Sequence, residues 1–137
     1  MSGRALATKL GVKPGNRVLV LDAPAEYGEL LGPLPEGAQV DDEARGERGY
    51  DLVHVFVKDR LDVERLAPAA FRALRPGGVL WFSYPKQAAK VATDLTRDRG
   101  WDVVAQAGLR PVAQVAVDDI WSALRFRPAA DVGTGGC

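Results

Sequence analysis

The stretch YDLVHVFVKDRLDVERLAPAAFRALRPGGVLWFSY, residues 50–84, decides how this chain folds. Its first eight residues, Tyr50 to Val57, are almost wholly apolar with little alternation, which predicts a strand covered on both faces. Leu61, Leu66, Ala70, Phe71 and Leu74 then recur on one helical stripe over residues 60–75, and Pro76-Gly77-Gly78 stops that helix. Val79 to Tyr84 is a second buried strand. Strand, crossover helix and strand in this order predict two parallel neighbours in one sheet.

Upstream, residues 2–10 (SGRALATKL) predict a short amphipathic helix with Ser2 as its cap. Gly11 ends it, and Lys13-Pro14-Gly15-Asn16 reads as a turn. Arg17 to Asp22 is another short apolar run and a further buried strand. Pro24 suits a first helical position, Glu26 and Glu29 sit near the positive start of a helix over Ala25 to Leu31, and Gly32 closes it. Pro33 to Gly37 is a stiff loop, Ala38 to Asp41 a candidate short strand, and residues 41–49 a charged loop. Parallel neighbours usually need a crossover of about a dozen residues or more. The short link from Asp41 to Tyr50 therefore leaves the 38–41 segment antiparallel, very short or absent.

Downstream, Pro85 breaks the strand, and a polar loop leads to a helix predicted over residues 92–107, with Gly100 inside it. Val112–Val117 and Ile120–Arg127 are strands separated only by Asp118-Asp119, which permits an antiparallel hairpin and no crossover. Residues 128–137 (PAADVGTGGC) read as a disordered tail. The expected architecture is α/β: a Rossmann-like three-layer sandwich with a mostly parallel sheet closed by a C-terminal antiparallel hairpin. It forms one domain over residues 1–127.

Bulk composition narrows the function classes. The 137 residues carry 18 acidic and 18 basic side chains, so there is no electrostatic footprint for nucleic acid or an anionic membrane. Thirteen arginines against five lysines read as genome composition before chemistry. A single cysteine, Cys137, makes no internal disulfide, and no stretch approaches the roughly 18 apolar residues of a membrane span. With no signal-peptide pattern at the start, a cytoplasmic location is the expectation.

The segment Leu10-Gly11-Val12-Lys13-Pro14-Gly15-Asn16-Arg17-Val18-Leu19 resembles the lead-in to the first strand of S-adenosylmethionine-dependent methyltransferases. Tyr50-Asp51-Leu52-Val53-His54 is similar to their fourth strand, Leu74 to Leu80 to the turn into their fifth, and the closing hairpin to their sixth and seventh. The resemblance implies a reduced methyltransferase-like Rossmann fold. Two features depart from it. Asp22-Ala23-Pro24-Ala25-Glu26 stands where the family has a glycine-rich turn that brings backbone close to the cofactor, and the segment for a third strand and its helix is missing. A second resemblance, carried by Trp81-x-Ser83-x-Pro85-Lys86, Asp94 and Asp119-x-Trp121-Ser122, is to a family of small actinobacterial-type proteins of unknown function. That family has glycine where this chain has Ala123.

Ligands of open α/β sheets sit at the carboxyl ends of the parallel strands. Three such ends stand out: Asp22-Ala23-Pro24, Lys58-Asp59-Arg60 and Ser83-Tyr84-Pro85-Lys86. The richest is the last, which gives Ser83, Lys86, Lys90, Thr93, Asp94 and Arg97 as a candidate anion-binding set near a helix start; the plainer alternative is a solvated loop with Thr93 or Asp94 as a cap. Asp22 and Asp41, 19 positions apart, are the cofactor-binding candidates if the chain takes S-adenosylmethionine, because dinucleotide folds place a ribose-binding acid about 20 residues after the turn. His54, mid-strand on a face with Tyr50, Leu52 and Phe56, reads as a hydrogen-bonded core residue before an acid or base. Asp118 and Asp119 read as a turn before a carboxylate pair. Trp121 reads as core filling, with packing beneath an arginine as the alternative.

No nucleophile elbow, Walker loop or metal-ligand pair appears, so no catalytic set and no metal site emerge. The expected function is a non-catalytic domain without a cofactor that binds a small anionic or nucleotide ligand or a protein partner. The alternative is an S-adenosylmethionine-dependent methyltransferase or related nucleotide-cofactor enzyme. An edge strand at the hairpin leaves room for a homodimer, with Arg125 and Arg127 as candidates for blunting that edge.

Overall fold

The computed structural model describes residues 6–25, 27–44, 49–86, 93–96 and 99–128. Its elements run α1 (Leu6–Leu10), β1 (Arg17–Leu21), α2 (Tyr27–Leu31), β2 (Gln39–Asp41), β3 (Tyr50–Phe56), α3 (Arg60–Ala73), β4 (Leu74–Pro85), α4 (Asp102–Gln106), β5 (Leu109–Ala116) and β6 (Trp121–Pro128). The six strands form one sheet in the order β2-β1-β3-β4-β6-β5. The first four are parallel, and β6 and β5 close the sheet as an antiparallel hairpin. This is the three-layer α/β architecture the sequence predicts.

The strand patterns explain the layers. On one face, Val53, Val55, Leu80, Phe82, Leu124 and Phe126 pack against Val63, Leu66, Ala67 and Ala70 of α3 and against Trp101 and Val104. On the other, Val18, Val20, Leu52, Phe56, Trp81 and Ala123 pack against Leu6, Ala7 and Leu10 of α1 and Tyr27 and Leu31 of α2. A strand buried on both faces gains from both layers, at roughly 25 cal/mol for each Å² of apolar surface removed from water. Tyr50 departs from the simple alternation and joins the α3 face. The reason is an irregularity in the β3–β4 ladder: Tyr50 pairs with Leu74 and Leu52 with Val79, so residues 75–78 bulge out opposite Asp51. Asp51 secures the bulge, accepting from Arg75 Nε at 2.6 Å and from the Arg17 backbone N–H at 2.8 Å.

The 38–41 segment is a three-residue strand parallel to β1. An eight-residue link suffices because β2 and β3 flank β1 on opposite sides. The return path crosses two strand spacings and runs about three residues back along the sheet, roughly 14 Å in all, well within reach of eight residues. Tyr50 ties the link down, its hydroxyl donating to Asp41 Oδ2 at 2.5 Å.

Two expectations need correction. The helix predicted over 92–107 is only α4, Asp102–Gln106. Gly100 has φ +93°, a left-handed conformation that interrupts any helix through it, and Trp101 takes the cap position. Residues 93–96 precede it as non-helical chain. The sheet edge beside the hairpin is β5, so Arg125, paired with Trp81 and Ala113, and Arg127, paired with Arg110, lie on the inner strand β6 and blunt no edge. Pro111 and the irregularity between Pro111 and Ala113 do that on β5. Asp118 is a turn residue, its Oδ1 accepting from the N–H groups of Ile120 and Trp121 at 2.9 and 2.8 Å. The expected tail after Arg127 lies outside the described residues from 129 onward, as do Ser2 and Glu26.

Candidate functional site

The carboxyl ends of β1, β2 and β3 open onto two neighbouring cavities that share the wall Asp22-Ala23-Pro24. The first, about 400 Å³, lies toward β2 and is lined by Val20, Asp22, Ala23, Pro24, Tyr27 and Asp42. The second, about 510 Å³, lies toward α3 and the start of β6, and adds Phe56, Lys58, Asp59, Asp62, Arg65 and Trp121 to the shared wall. Asp22 has φ +57°, the only non-glycine in the left-handed region among the described residues. Aspartate tolerates that region better than most side chains, so the chain turns as tightly after β1 as a glycine would allow. Pro24 withholds an amide from the turn, leaving Ala23 and Ala25 as its donors.

The charges here are mostly matched. Arg65 Nη2 meets Asp22 Oδ2 at 2.8 Å and Asp62 Oδ1 at 3.1 Å. These two hydrogen bonds, Asp22 first, hold the Arg65 guanidinium above its usual pKa. Asp62 also accepts from the Lys58 N–H at 2.9 Å. Burial pushes the Asp62 carboxyl up, and the Lys58 amide followed by Arg65 outweighs it, so its pKa ends below the ordinary value. Asp59 caps α3, accepting from the Asp62 N–H at 3.0 Å, and Asp94 Oδ1 takes the Arg60 N–H at 2.8 Å. The Arg60 and Asp62 amides in the first turn of α3 are thus already bonded to carboxylates of the chain itself.

Of the residues predicted as an anion-binding set, the four described ones, Ser83, Lys86, Thr93 and Asp94, are not brought together as one. Ser83 is fully buried, with its Oγ 2.5 Å from His54 Nε2, and is out of reach of a solvent-borne ligand. This corrects its placement at an open strand end: β4 runs on through Tyr84 to Pro85. Thr93 Oγ1 accepts from the Leu95 N–H at 3.0 Å, and Asp94 caps α3 and not the helix that follows it. Lys86 donates its backbone N–H to Ile120 O at 2.7 Å. Lys90 and Arg97 lie outside the described residues.

Of the cofactor candidates, Asp22 lines both cavities. Asp41 is turned to other work, with Tyr50 Oη at 2.5 Å and Arg17 Nη2 at 3.9 Å. Its neighbour Asp42 lines the first cavity instead. Asp42 stands 20 positions after Asp22. His54 is a core histidine, as its mid-strand position predicts. It is fully buried, with Tyr27 Oη 3.1 Å from Nδ1, and burial pushes its pKa down to about 3. Burial likewise raises the Tyr27 phenol well above its usual value. Trp121 packs edge-on against Phe56 at 5.0 Å between ring centres. Among the described residues no group of three or more metal-ligating side chains occurs, and no helix is long and apolar enough to cross a membrane.

No protein-family model matches the chain, and no curated protein does; the likeness to the small actinobacterial-type family therefore gains no support. Solved structures do match. An S-adenosylmethionine-dependent methyltransferase from Aquifex aeolicus aligns over 88% of this chain and 86% of its own, at 15% identity and a TM-score of 0.53. Aeropyrum pernix fibrillarin, solved with natively bound S-adenosyl-L-methionine, aligns over 90% and 72% at 16% identity and a TM-score of 0.57. DhpI, solved as a complex with SAH, aligns over 90% and 82% at 13% identity and a TM-score of 0.59. These neighbours overturn the expectation that the fold goes with no cofactor, since they include complexes with S-adenosyl compounds. At these identities the likeness is one of fold: the chain has the methyltransferase-type Rossmann fold.

Proposed function

We propose that the chain binds an S-adenosyl compound at the carboxyl ends of β1 and β2 and acts as a small S-adenosylmethionine-dependent methyltransferase. The observation that carries this reading is the 400 Å³ cavity between the Asp22-Ala23-Pro24 turn and Asp42, at the crevice where open α/β sheets take their ligands. Its residues fit such a group. Val20, Ala23, Pro24 and the Tyr27 ring offer apolar surface, and Asp22 and Asp42 are acceptors for hydroxyl and ammonium donors. Asp22 takes a left-handed backbone conformation at the turn after β1. When bound, an S-adenosylmethionine group supplies an electrophilic methyl. The chain's own part is to hold the ribose end through Asp42, to hold Asp22 in place through Arg65, and to bring a second molecule against the shared wall.

A second reading, a binding domain without turnover, is favoured by one observation. The sole histidine is sealed in the core and neutral, so it is no acid or base for the cavities. Calorimetry with S-adenosylhomocysteine tests the first step. Saturable binding of one molecule per chain is expected, and no binding at millimolar ligand would defeat the proposal. Transfer of labelled methyl to added acceptors, or its absence in a protein that binds the ligand, then separates the two readings.

A further inference from the structure

The larger cavity has a lining of a different character from the smaller one. Its floor is Phe56 edge-on to Trp121, and its shared wall is the apolar Ala23 and Pro24 with the Asp22 carboxylate. Offset and edge-to-face aromatic floors favour a flat ring. Arg65 holds Asp22 through Oδ2 alone; among the described residues Oδ1 takes no bond. Asp59 and Asp62 are committed to the amides at the start of α3. Three aspartates against Lys58 and Arg65 leave the lining one charge negative (2 − 3 = −1). That charge disfavours an anion and favours a hydrogen-bond donor.

We infer that this cavity is a substrate subsite for a planar ring that presents an N–H or O–H donor to Asp22. Its assignment to the methyl acceptor rests on the reading proposed above; the subsite itself rests on its own lining. Asp22 is the one ionisable residue common to both cavities, so a donor on the ring meets the carboxylate at the boundary where the two ligands face each other. A charge-assisted hydrogen bond at that point fixes the ring's orientation, and the aromatic floor supplies its apolar contact.

The three tryptophans allow a direct test. Trp81 Nε1 donates to Leu10 O at 2.9 Å and Trp101 Nε1 to Thr96 O at 2.8 Å, both away from the cavity. In proton–nitrogen spectra, titration with aniline or phenol should shift the Trp121 indole resonance saturably and leave those of Trp81 and Trp101 in place; Trp121→Phe identifies the resonance. Benzoate should shift it far less. Asp22→Asn, which keeps a residue suited to the left-handed turn, should weaken aniline binding by about fivefold through loss of the charged acceptor. No saturable shift, or benzoate bound as well as aniline, would overturn the inference. Calorimetry with S-adenosylhomocysteine on the same sample separates the two claims. Ring binding without it supports the subsite and defeats the cofactor reading; cofactor binding with no ring binding defeats the subsite alone.

Discussion

The imidazole of His54 and the hydroxyl of Ser83 meet at 2.5 Å inside the sheet, with Tyr27 closing the row at 3.1 Å on the far ring nitrogen. A neutral imidazole carries one donor and one acceptor, and hydroxyls serve as either, so both ring nitrogens are satisfied in either tautomer. A protonated ring would be a charge in a fully buried place, which is why its pKa lies at about 3.

The pH dependence of stability follows. The unfolded chain takes up a proton at His54 near pH 6.5, and the folded chain does so only near pH 3. Between those values the unfolded state binds more protons, so His54 costs stability as pH falls, by about 1.4 kcal/mol for each pH unit. Above pH 6.5 the cost is absent. His54→Phe leaves the Tyr27 and Ser83 hydroxyls without this partner and is expected to lose about 2–4 kcal/mol at pH 7.5. The gap from wild type should narrow as pH drops from 6.5 to 4.5. Urea unfolding across that range checks it, and parallel pH profiles would contradict it.

Trp81 reaches from the sheet to the end of α1. Its indole N–H meets the Leu10 carbonyl at 2.9 Å, with both residues buried. That carbonyl is one of the acceptors a helix leaves unpaired at its carboxyl end. Trp81→Phe keeps an aromatic ring and removes the donor, so a loss of about 1–3 kcal/mol is expected in urea unfolding. Proteolysis should become faster between residues 6 and 12. An unchanged midpoint would mean that the bond contributes nothing net.

How far the sequence spoke can be judged residue by residue. The runs at Arg17–Leu21 and Tyr50–Phe56 had to be strands because only a doubly covered sheet buries that much unbroken apolar surface. The short link around Asp118-Asp119, four residues between β5 and β6, leaves room only for a hairpin. The 92–107 segment misled because a glycine inside a helix is tolerated at a modest cost, and the sequence does not reveal that Gly100 takes a positive φ. Ser83 misled because the strand length past it depends on β6, whose Ala123 pairs with it across the sheet. Spacing alone does not show that Asp41 is held by Tyr50, nine residues on, while Asp42, just past the end of β2, lines the cavity.

Gly100 and Gly11 offer a controlled comparison. Both hold φ near +90° (+93° and +89°), but a Cβ at Gly11 would meet nothing within 4 Å, whereas one at Gly100 would fall 2.3 Å from Leu95 Cδ2 and 3.1 Å from Arg60 Cγ. Gly11→Ala should therefore cost only the conformational strain, about 1–2 kcal/mol. Gly100→Ala adds overpacking of Leu95, for about 3 kcal/mol in all. Thermal unfolding of the two variants would show the order; equal losses would mean that the loop before α4 gives way at no cost.

Asp41 and Asp42 should divide stability from binding. Asp41 accepts from the Tyr50 hydroxyl where the chain passes from β2 to β3. Asp41→Ala removes a charged acceptor from a half-buried bond and should cost about 1–2 kcal/mol in urea, with affinity for S-adenosylhomocysteine unchanged in the folded protein. Asp42 lines the cavity and has no ion pair among the described residues. Asp42→Asn should leave the unfolding midpoint in place and weaken S-adenosylhomocysteine by about tenfold, the loss of a charge-assisted bond. The reverse pattern, affinity lost with Asp41 and retained without the Asp42 charge, would place the ligand on the far side of β2. It would also return the ribose role to the residue that the spacing first suggested.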